Sequence, residues 1–360
     1  MSDKEIAAKY VEEIEKTAAK LDKIRLMEVC GTHTVAIFRA GIRQLLPKNI
    51  ELVSGPGCPV CVTSDDYIDK AIAYSKLKDV TITTFGDMLK VPGSTSSLTE
   101  AQGEDSDIRI VYSPLDSIEI AKQNPTRKVI FLAVGFETTA PTAAATVLSA
   151  KSQGINNLYM LSAQKLVPPA LRMLLSDPEV KVDGFILPGH VAVVTGRSTF
   201  DFLASEYKIP SVVTGFEPLE ILRSILHLLI MISRNRAEVV NEYTSVVSEN
   251  GNIAAQNILS QVYESVNADW RGIGSIKNSG LKIREEFAEF DVECILPIQV
   301  KSTTKKTSCR CGEVLKGLIT PLECPLFGKA CIPTHSVGPC MVSVEGVCSA
   351  WYKYGGSRFF

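Results

Sequence analysis

The stretch IRLMEVCGTHTVAIFRAGIRQLLPKNIELVSGPGCPVC (residues 24–61) decides the fold class of this chain. Its first seven residues are mostly apolar and β-prone, with Arg25 and Glu28 among them. Helical periodicity follows over 35–46, and then a second β-prone run, IELVS. Two strands of the buried type joined by an amphipathic helix make a βαβ unit, the building block of a parallel sheet. Each strand also runs into a turn loaded with chemistry. Cys30, Gly31, Thr32 and His33 follow the first, and Gly-Pro-Gly with Cys58-x-x-Cys61 follows the second.

The same alternation continues to Phe216. The further strand candidates are VTITTFG, IRIVYS, VIFLAVGF, LYMLSA, GFILPG and SVVTGF, with helical stretches over 65–77, 140–152 and 199–207 among them. Apolar strands alternating with helices indicate parallel sheets covered on both faces. Eight strands split into two sets of four near 113–128, where SPLDSIEIAKQNPTRK carries prolines and charge. Beyond about residue 217 the β pattern gives way to helical stretches over 219–247 and 252–266, and then to a tail rich in Cys, Pro and Gly. The expected fold is α/β. It has two Rossmann-like α/β domains with parallel sheets, 24–115 and 125–218. A third, helical and irregular cysteine-rich domain is built from 1–23 and 219–360.

Composition narrows the function. The chain has 360 residues, 45% of them hydrophobic and 22% charged, with a net charge of −2. A chain of this size buries a core without needing metal or disulfides to fold. No broad basic field is available for nucleic acid; the one short basic run, KSTTKK at 301–306, reads as a solvated loop. The N-terminus is charged and lacks an apolar signal core, and Ser2 with Glu5 fits a capping box opening an amphipathic helix. ILRSILHLLIMIS at 221–233 is too short to span a bilayer and reads as a core helix that includes His227. A soluble, cytoplasmic protein is expected, with no membrane partner. Ten cysteines in such a chain call for metal binding or redox work rather than structural disulfides.

Six of them crowd the tail: Cys309, Cys311, Cys324, Cys331, Cys340 and Cys348. Only Cys309 and Cys311 are close, and one intervening residue is too few for a zinc knuckle. Dispersed thiolates in a Pro/Gly-rich wrap suit a 4Fe-4S cluster better, although zinc and unrelated buried thiols stay open. A cubane takes four ligands and leaves two thiols over. Cys58 and Cys61 sit at a strand-to-helix turn, where a redox pair or two buried cysteines both fit; a helix N-terminus there favours thiolate. Cys30 with His33 could share a metal, or Thr32 could cap a helix beside a structural Cys30.

In open α/β sheets, ligands bind beyond the carboxyl ends of the strands. Cys30, Cys58, Cys61 and Asp87 follow the first three strands and are expected on one rim. Glu137 and His190 are expected on the rim of the second domain, across a cleft. His335 is undecided. No P-loop, no G-x-G-x-x-G opening the first unit and no nucleophile elbow of the G-x-S-x-G type is present.

The motifs EVCGTHT, GPGCPVC, TTFGDMLKVPGS, GFETTAPT, LPGHV, GFEPLEIL and CPLFGKACIP…VGPCMVSVEG, spread over about 24–352, together resemble the HypD family of NiFe-hydrogenase maturation factors. The resemblance implies two Rossmann-like domains and a third holding a 4Fe-4S cluster. It implies a small partner of the HypC type, with which the protein carries iron while cyanide and CO ligands are assembled. It also implies HypE as cyanide donor, acting with HypF. The iron-holding thiol maps onto Cys30 and the redox pair onto Cys58 and Cys61. The cluster ligands map onto Cys309, Cys324, Cys331 and Cys348. A second dithiol maps onto Cys311 and Cys340, an arrangement similar to ferredoxin:thioredoxin reductase. Asp87, His190 and Glu345 fall in the family's functional motifs. Val35 stands where many members have a second histidine, which leaves His33 as that motif's imidazole, and Thr32 stands where Gly is expected. The resemblance thus points to a scaffold for the Fe(CN)2CO unit with redox activity. The alternatives are an Fe–S disulfide reductase of the ferredoxin:thioredoxin reductase type and a zinc-stabilised binding protein.

Overall fold

The structure, a computed structural model, describes residues 2–103, 106–300 and 308–355; the basic run at 301–306 lies outside them. The strands are β1 (Ile24–Glu28), β2 (Ile50–Ser54), β3 (Val80–Thr84), β4 (Asp107–Ile110), β5 (Lys128–Ala133) and β6 (Leu158–Ser162). They continue with β7 (Gly184–Pro188), β8 (Ser211–Thr214), β9 (Val239–Asn241), β10 (Tyr263–Trp270) and β11 (Gly274–Ile283). All eight expected strands form, and the α/β class with two parallel sheets holds.

Their grouping differs from the expectation. One sheet has the order β2-β1-β7-β8-β9 and the other β4-β3-β5-β6. The first two strands therefore join the last ones, and the middle four form the second sheet. The chain does not divide near 113–128: it leaves the first sheet after β2 and returns to it at β7. The reason is physical. β3 and β7 are buried along their whole length, and β1 and β2 nearly so. Strands buried on both faces carry no sequence mark of which sheet they join. β1 pairs with β2 on one edge, Met27 opposite Val53. It pairs with β7 on the other, Met27 opposite Phe185.

Other elements follow their local chemistry. The capping box holds: the Ser2 N–H donates to Glu5 Oε2 (2.7 Å) and the helix Asp3–Ala18 begins there. Its Ile14 and Ala18 pack on Ile221, Ile225 and Leu228 of the helix Pro218–Ser233. The helix expected at 35–46 starts earlier, as Gly31–Arg39, because extended Cys30 is its N-cap; left-handed Gly41 (φ 66°) breaks it. The helix Ala140–Ser152 forms as expected, whereas 199–207 is a 3-10 turn and a short helix. The helix Val167–Ser176 was masked in the sequence by two prolines, which its first turn tolerates.

The helix expected over 219–247 ends at Ser233, and Asn235 at φ 50° turns the chain into β9. The one expected over 252–266 ends at Val262 and is followed by the antiparallel hairpin β10–β11. His227 is not a core residue. It lies half-exposed on the flank of its helix, with Nδ1 2.6 Å from Glu242 Oε1. Among the described residues no helix is long and apolar enough to cross a membrane.

The cysteine-rich tail is seated on the first sheet's helices. Helix Val347–Tyr354 lays Trp351 edge-on to Phe38 at 5.1 Å, and the Arg43 guanidinium lies over both rings. Arg43 also pairs with Glu28, which is 0% exposed and accepts from Ser54 Oγ at 2.7 Å. Removing one partner of a buried pair strands the other charge, which costs about 3 kcal/mol or more. Arg43→Met should therefore lower stability in urea melts by about that much. Adding Glu28→Gln in the same chain should recover part of the loss.

Candidate functional site

In a doubly wound sheet the crevice opens where the strand order reverses. In the first sheet that point lies between β1 and β7, and in the second between β3 and β5. Cys30 follows β1, His190 follows β7, Asp87 follows β3 and Glu137 follows β5. The expected rims are thus corrected in membership. Cys30, Cys58, Cys61 and His190 share the first sheet's rim, and Asp87 and Glu137 share the second's, because the strands are interleaved.

Backbone contact builds the centre. The Gly31 N–H donates to Gly57 O at 3.1 Å. Gly57 presses so closely that a Cβ there would lie 2.4 Å from Cys30 N, and a Cβ on Gly31 would lie 2.3 Å from Glu345 O. The GPGC turn and the C-terminal loop therefore close directly on Cys30. Thr32 Oγ1 donates to Glu345 Oε1 at 2.7 Å. Ser343 Oγ donates to Asp87 Oδ2 at 2.8 Å and accepts from the Glu345 N–H at 3.3 Å. The loop at 343–345 thus joins the rims of both sheets. Burial, with the Glu345 carboxylate next, pushes the Cys30 thiol up to about 11, against the Thr32 hydroxyl. At neutral pH that keeps it in the thiol form.

His33 is fully buried and lies 2.9 Å through Nε2 from Gly215 O. A carbonyl only accepts, so Nε2 carries the proton, and among the described residues the Nδ1 lone pair has no hydrogen-bond partner. Its ring stacks on Phe216 (4.5 Å), whose ring also stacks on exposed His190 (4.0 Å). Phe216 is a site residue that the sequence reading passed over; its place directly after β8 was the available signal. Glu137 caps helix Val167–Ser176, accepting from the Val167 N–H at 2.9 Å, and among the described residues its Oε2 has no partner. Burial pushes it up to about 7.

The thiols form a connected series. Cys58 and Cys61 are 2% and 0% exposed. The Cys61 thiol interacts with those of Cys58 and Cys340, and burial first, then these thiols, raise it far above the ordinary range. Cys340 in turn meets Cys311 and Cys348, and Cys311 meets Cys309. All six tail cysteines line one small cavity with Val314 and Phe327. The Val337 N–H donates to Cys331 Sγ at 3.3 Å, and a Cβ on Gly338 would lie 2.6 Å from Cys309 Sγ. A dry pocket ringed by thiols, with backbone N–H on sulfur and a glycine cradle, fits an iron–sulfur cluster. Among the described residues no three His, Cys, Asp or Glu side chains are already drawn together around a single point. His335 is exposed in a turn of the tail, and Cys294 is exposed and apart from the series.

The family model described as "HypD: Hydrogenase formation hypA family" matches residues 5–355. The chain belongs to the HypD family. It is 43% identical to a putative hydrogenase expression/formation protein of Methanocaldococcus jannaschii, over 98% of both chains. It is also 43% identical to hydrogenase maturation factor HypD of Escherichia coli, over 92% of this chain and 89% of the other. With HypD of Azotobacter vinelandii the identity is 41%, over 95% and 93%.

Burial pushes His33 down to about 4, against its Gly215 bond. A histidine whose folded pKa lies below its unfolded value of about 6.5 costs no stability above that pH. Between about 6.5 and 4 the unfolded chain binds the extra proton, and stability falls as pH falls, by up to about 1.4 kcal/mol per unit. Nitrogen-detected NMR of the imidazoles should show His33 as the neutral Nε2–H tautomer throughout pH 5–8, with no titration step.

Proposed function

We propose that this HypD-family chain acts in hydrogenase maturation as a scaffold on which an iron centre receives its cyanide and CO ligands. The supporting observation is that Cys30 is packed against the turn that carries Cys58 and Cys61, of which Cys61 meets the tail thiol of Cys340. In this reading iron is cargo. Cys30 holds it as thiolate, with a HypC-type partner adding a second thiolate and HypE, acting with HypF, delivering cyanide. A soft sulfur ligand suits low-valent iron that carries CO and cyanide. Glu345, hydrogen-bonded to Thr32 beside Cys30, is the acceptor for the proton that Cys30 releases on metal binding. His33 offers the lone pair of Nδ1, and His190 and Asp87 complete the polar wall.

Cys309, Cys324, Cys331 and Cys348 are the residues that would hold a 4Fe-4S cluster, which supplies single electrons to neighbouring thiols when bound. Cys311 and Cys340 are left as the adjacent pair. Of the opening pair, Cys61 is the member that meets Cys340. The exchange follows from that order. Cys340 thiolate attacks Cys61 Sγ of a Cys58–Cys61 disulfide, Cys58 leaves as thiolate, and Cys311 thiolate then releases Cys61 as a Cys311–Cys340 disulfide forms. Two electrons pass to the opening pair beside Cys30. The burial of Cys58 and Cys61 favours this internal exchange over the reductase alternative, since a protein disulfide cannot reach them directly.

Anaerobic infrared spectroscopy of the protein copurified with its small partner tests the scaffold. Iron–cyanide and iron–CO bands are expected in the wild type and absent in Cys30→Ala, while iron and sulfide at the cluster stay unchanged. Full-strength bands in Cys30→Ala would remove Cys30 as the iron ligand. Zinc without iron or sulfide in the anaerobically purified protein would contradict the reading altogether.

A further inference from the structure

A second cavity lies apart from the Cys61–Cys340 thiol series, at the carboxyl end of β6, with Cys294 in its lining. It has a volume of about 510 Å³ and is walled by the helix Asp65–Ser75, by residues 162–165 and by the hairpin β10–β11. That volume falls within the range of small-molecule sites, and the carboxyl end of a parallel strand is where open α/β sheets take ligands. Nothing in the proposed iron chemistry uses it.

Two of its lining residues are buried polar groups with unmet needs. Lys165 is 4% exposed, and its Nζ donates to Asp269 O at 2.8 Å and lies 5.6 Å from the centre of the Trp270 ring. It forms no ion pair among the described residues. An ammonium carries three donors, and a buried cation facing a single carbonyl and a ring is under-compensated. Burial pushes it down to about 8, against the pull of Asp269. Gln164 is 2% exposed, and among the described residues its Oε1 accepts no hydrogen bond. The cavity therefore presents a cation in want of an anion and an acceptor in want of a donor.

The rest of the wall sets the ligand's charge. Lys70 is already neutralised by Asp66 (2.9 Å) and Glu293 (2.8 Å). Asp269 and Asp291 add further carboxylates to the lining. A dianion such as phosphate meets repulsion from these acids, whereas a ligand with a carboxylate at one end and an ammonium at the other matches both. We propose that this cavity is a binding site for a free amino acid, its carboxylate on Lys165 and its ammonium facing Gln164 Oε1 and the acidic wall. The hairpin that walls the site also reaches the redox turn, since the Arg271 N–H at its tip donates to Val62 O at 2.9 Å.

The experiment uses the anaerobically purified full chain and a panel of the free L-amino acids. Acetate, methylamine and inorganic phosphate serve as single-charge and dianion probes. At least one amino acid should raise Tm saturably and slow acetylation of Lys165 by acetic anhydride in the wild-type protein, read by mass spectrometry. Acetate, methylamine and phosphate should each bind at least about tenfold more weakly, the loss expected for one charge-assisted hydrogen bond. Lys165→Met should abolish the Tm shift and Gln164→Leu should reduce it. Failure of every amino acid to protect Lys165 in the wild type would overturn the proposal, and so would equal protection by acetate or phosphate.

Discussion

Two glycines without side chains let three parts of the chain meet at Cys30, and the site depends on that contact. Gly57 lies against the Cys30 backbone, and Gly31 lies against Glu345. Any Cβ at either position would enter space that main-chain atoms occupy, and overpacking of this kind forces the backbone to shift. The GPGC turn, the start of helix Gly31–Arg39 and the C-terminal loop are thus fixed relative to one another by backbone shape. The thiol series inherits its order from the same contact. Cys58 follows Gly57 directly, and the tail loop that backs Gly31 also carries Cys340, against whose carbonyl Gly346 packs.

The interleaved topology explains why the chemistry converges. Both sheets reverse strand order at their centre, and both place candidate residues at that reversal. Asp87 on one sheet and Cys30 on the other are joined through Ser343 and Glu345. The tail closes a crevice that the two sheets open. His33, Phe216 and His190 form one continuous ring stack at the start of helix Gly31–Arg39. It holds a neutral imidazole with an unused lone pair beside a thiol that burial keeps protonated.

The sequence made the strands legible because each is a short apolar run ending in a turn motif; Ile50–Ser54 and Ala140–Ser152 appear with their expected bounds. It could not reveal sheet membership, since buried strands such as VTITT and GFILP look alike whichever sheet they join. β9 and the hairpin were hidden for a different reason. β9 is three residues long, and β10 is buried only at its ends, Tyr263 and Trp270, with no apolar run between them. The cysteines, His33, Asp87, His190 and Glu345 were visible as residues in motifs. What was invisible was long-range contact: the Thr32–Glu345 bond, the Phe216 sandwich and the meeting of Cys61 with Cys340 all span large sequence separations.

The central claim is that the opening pair and the tail thiols form one exchange-competent series, linked through Cys61 and Cys340. Trapping the linking bond tests it most directly. In the double variant Cys58→Ser with Cys311→Ser, both resolving thiols are gone. Mild oxidation followed by peptide mapping should then yield a Cys61–Cys340 disulfide as the dominant product. Recovery of Cys61 as free thiol, or only as an adduct with external thiol, while Cys340 pairs elsewhere would contradict the account.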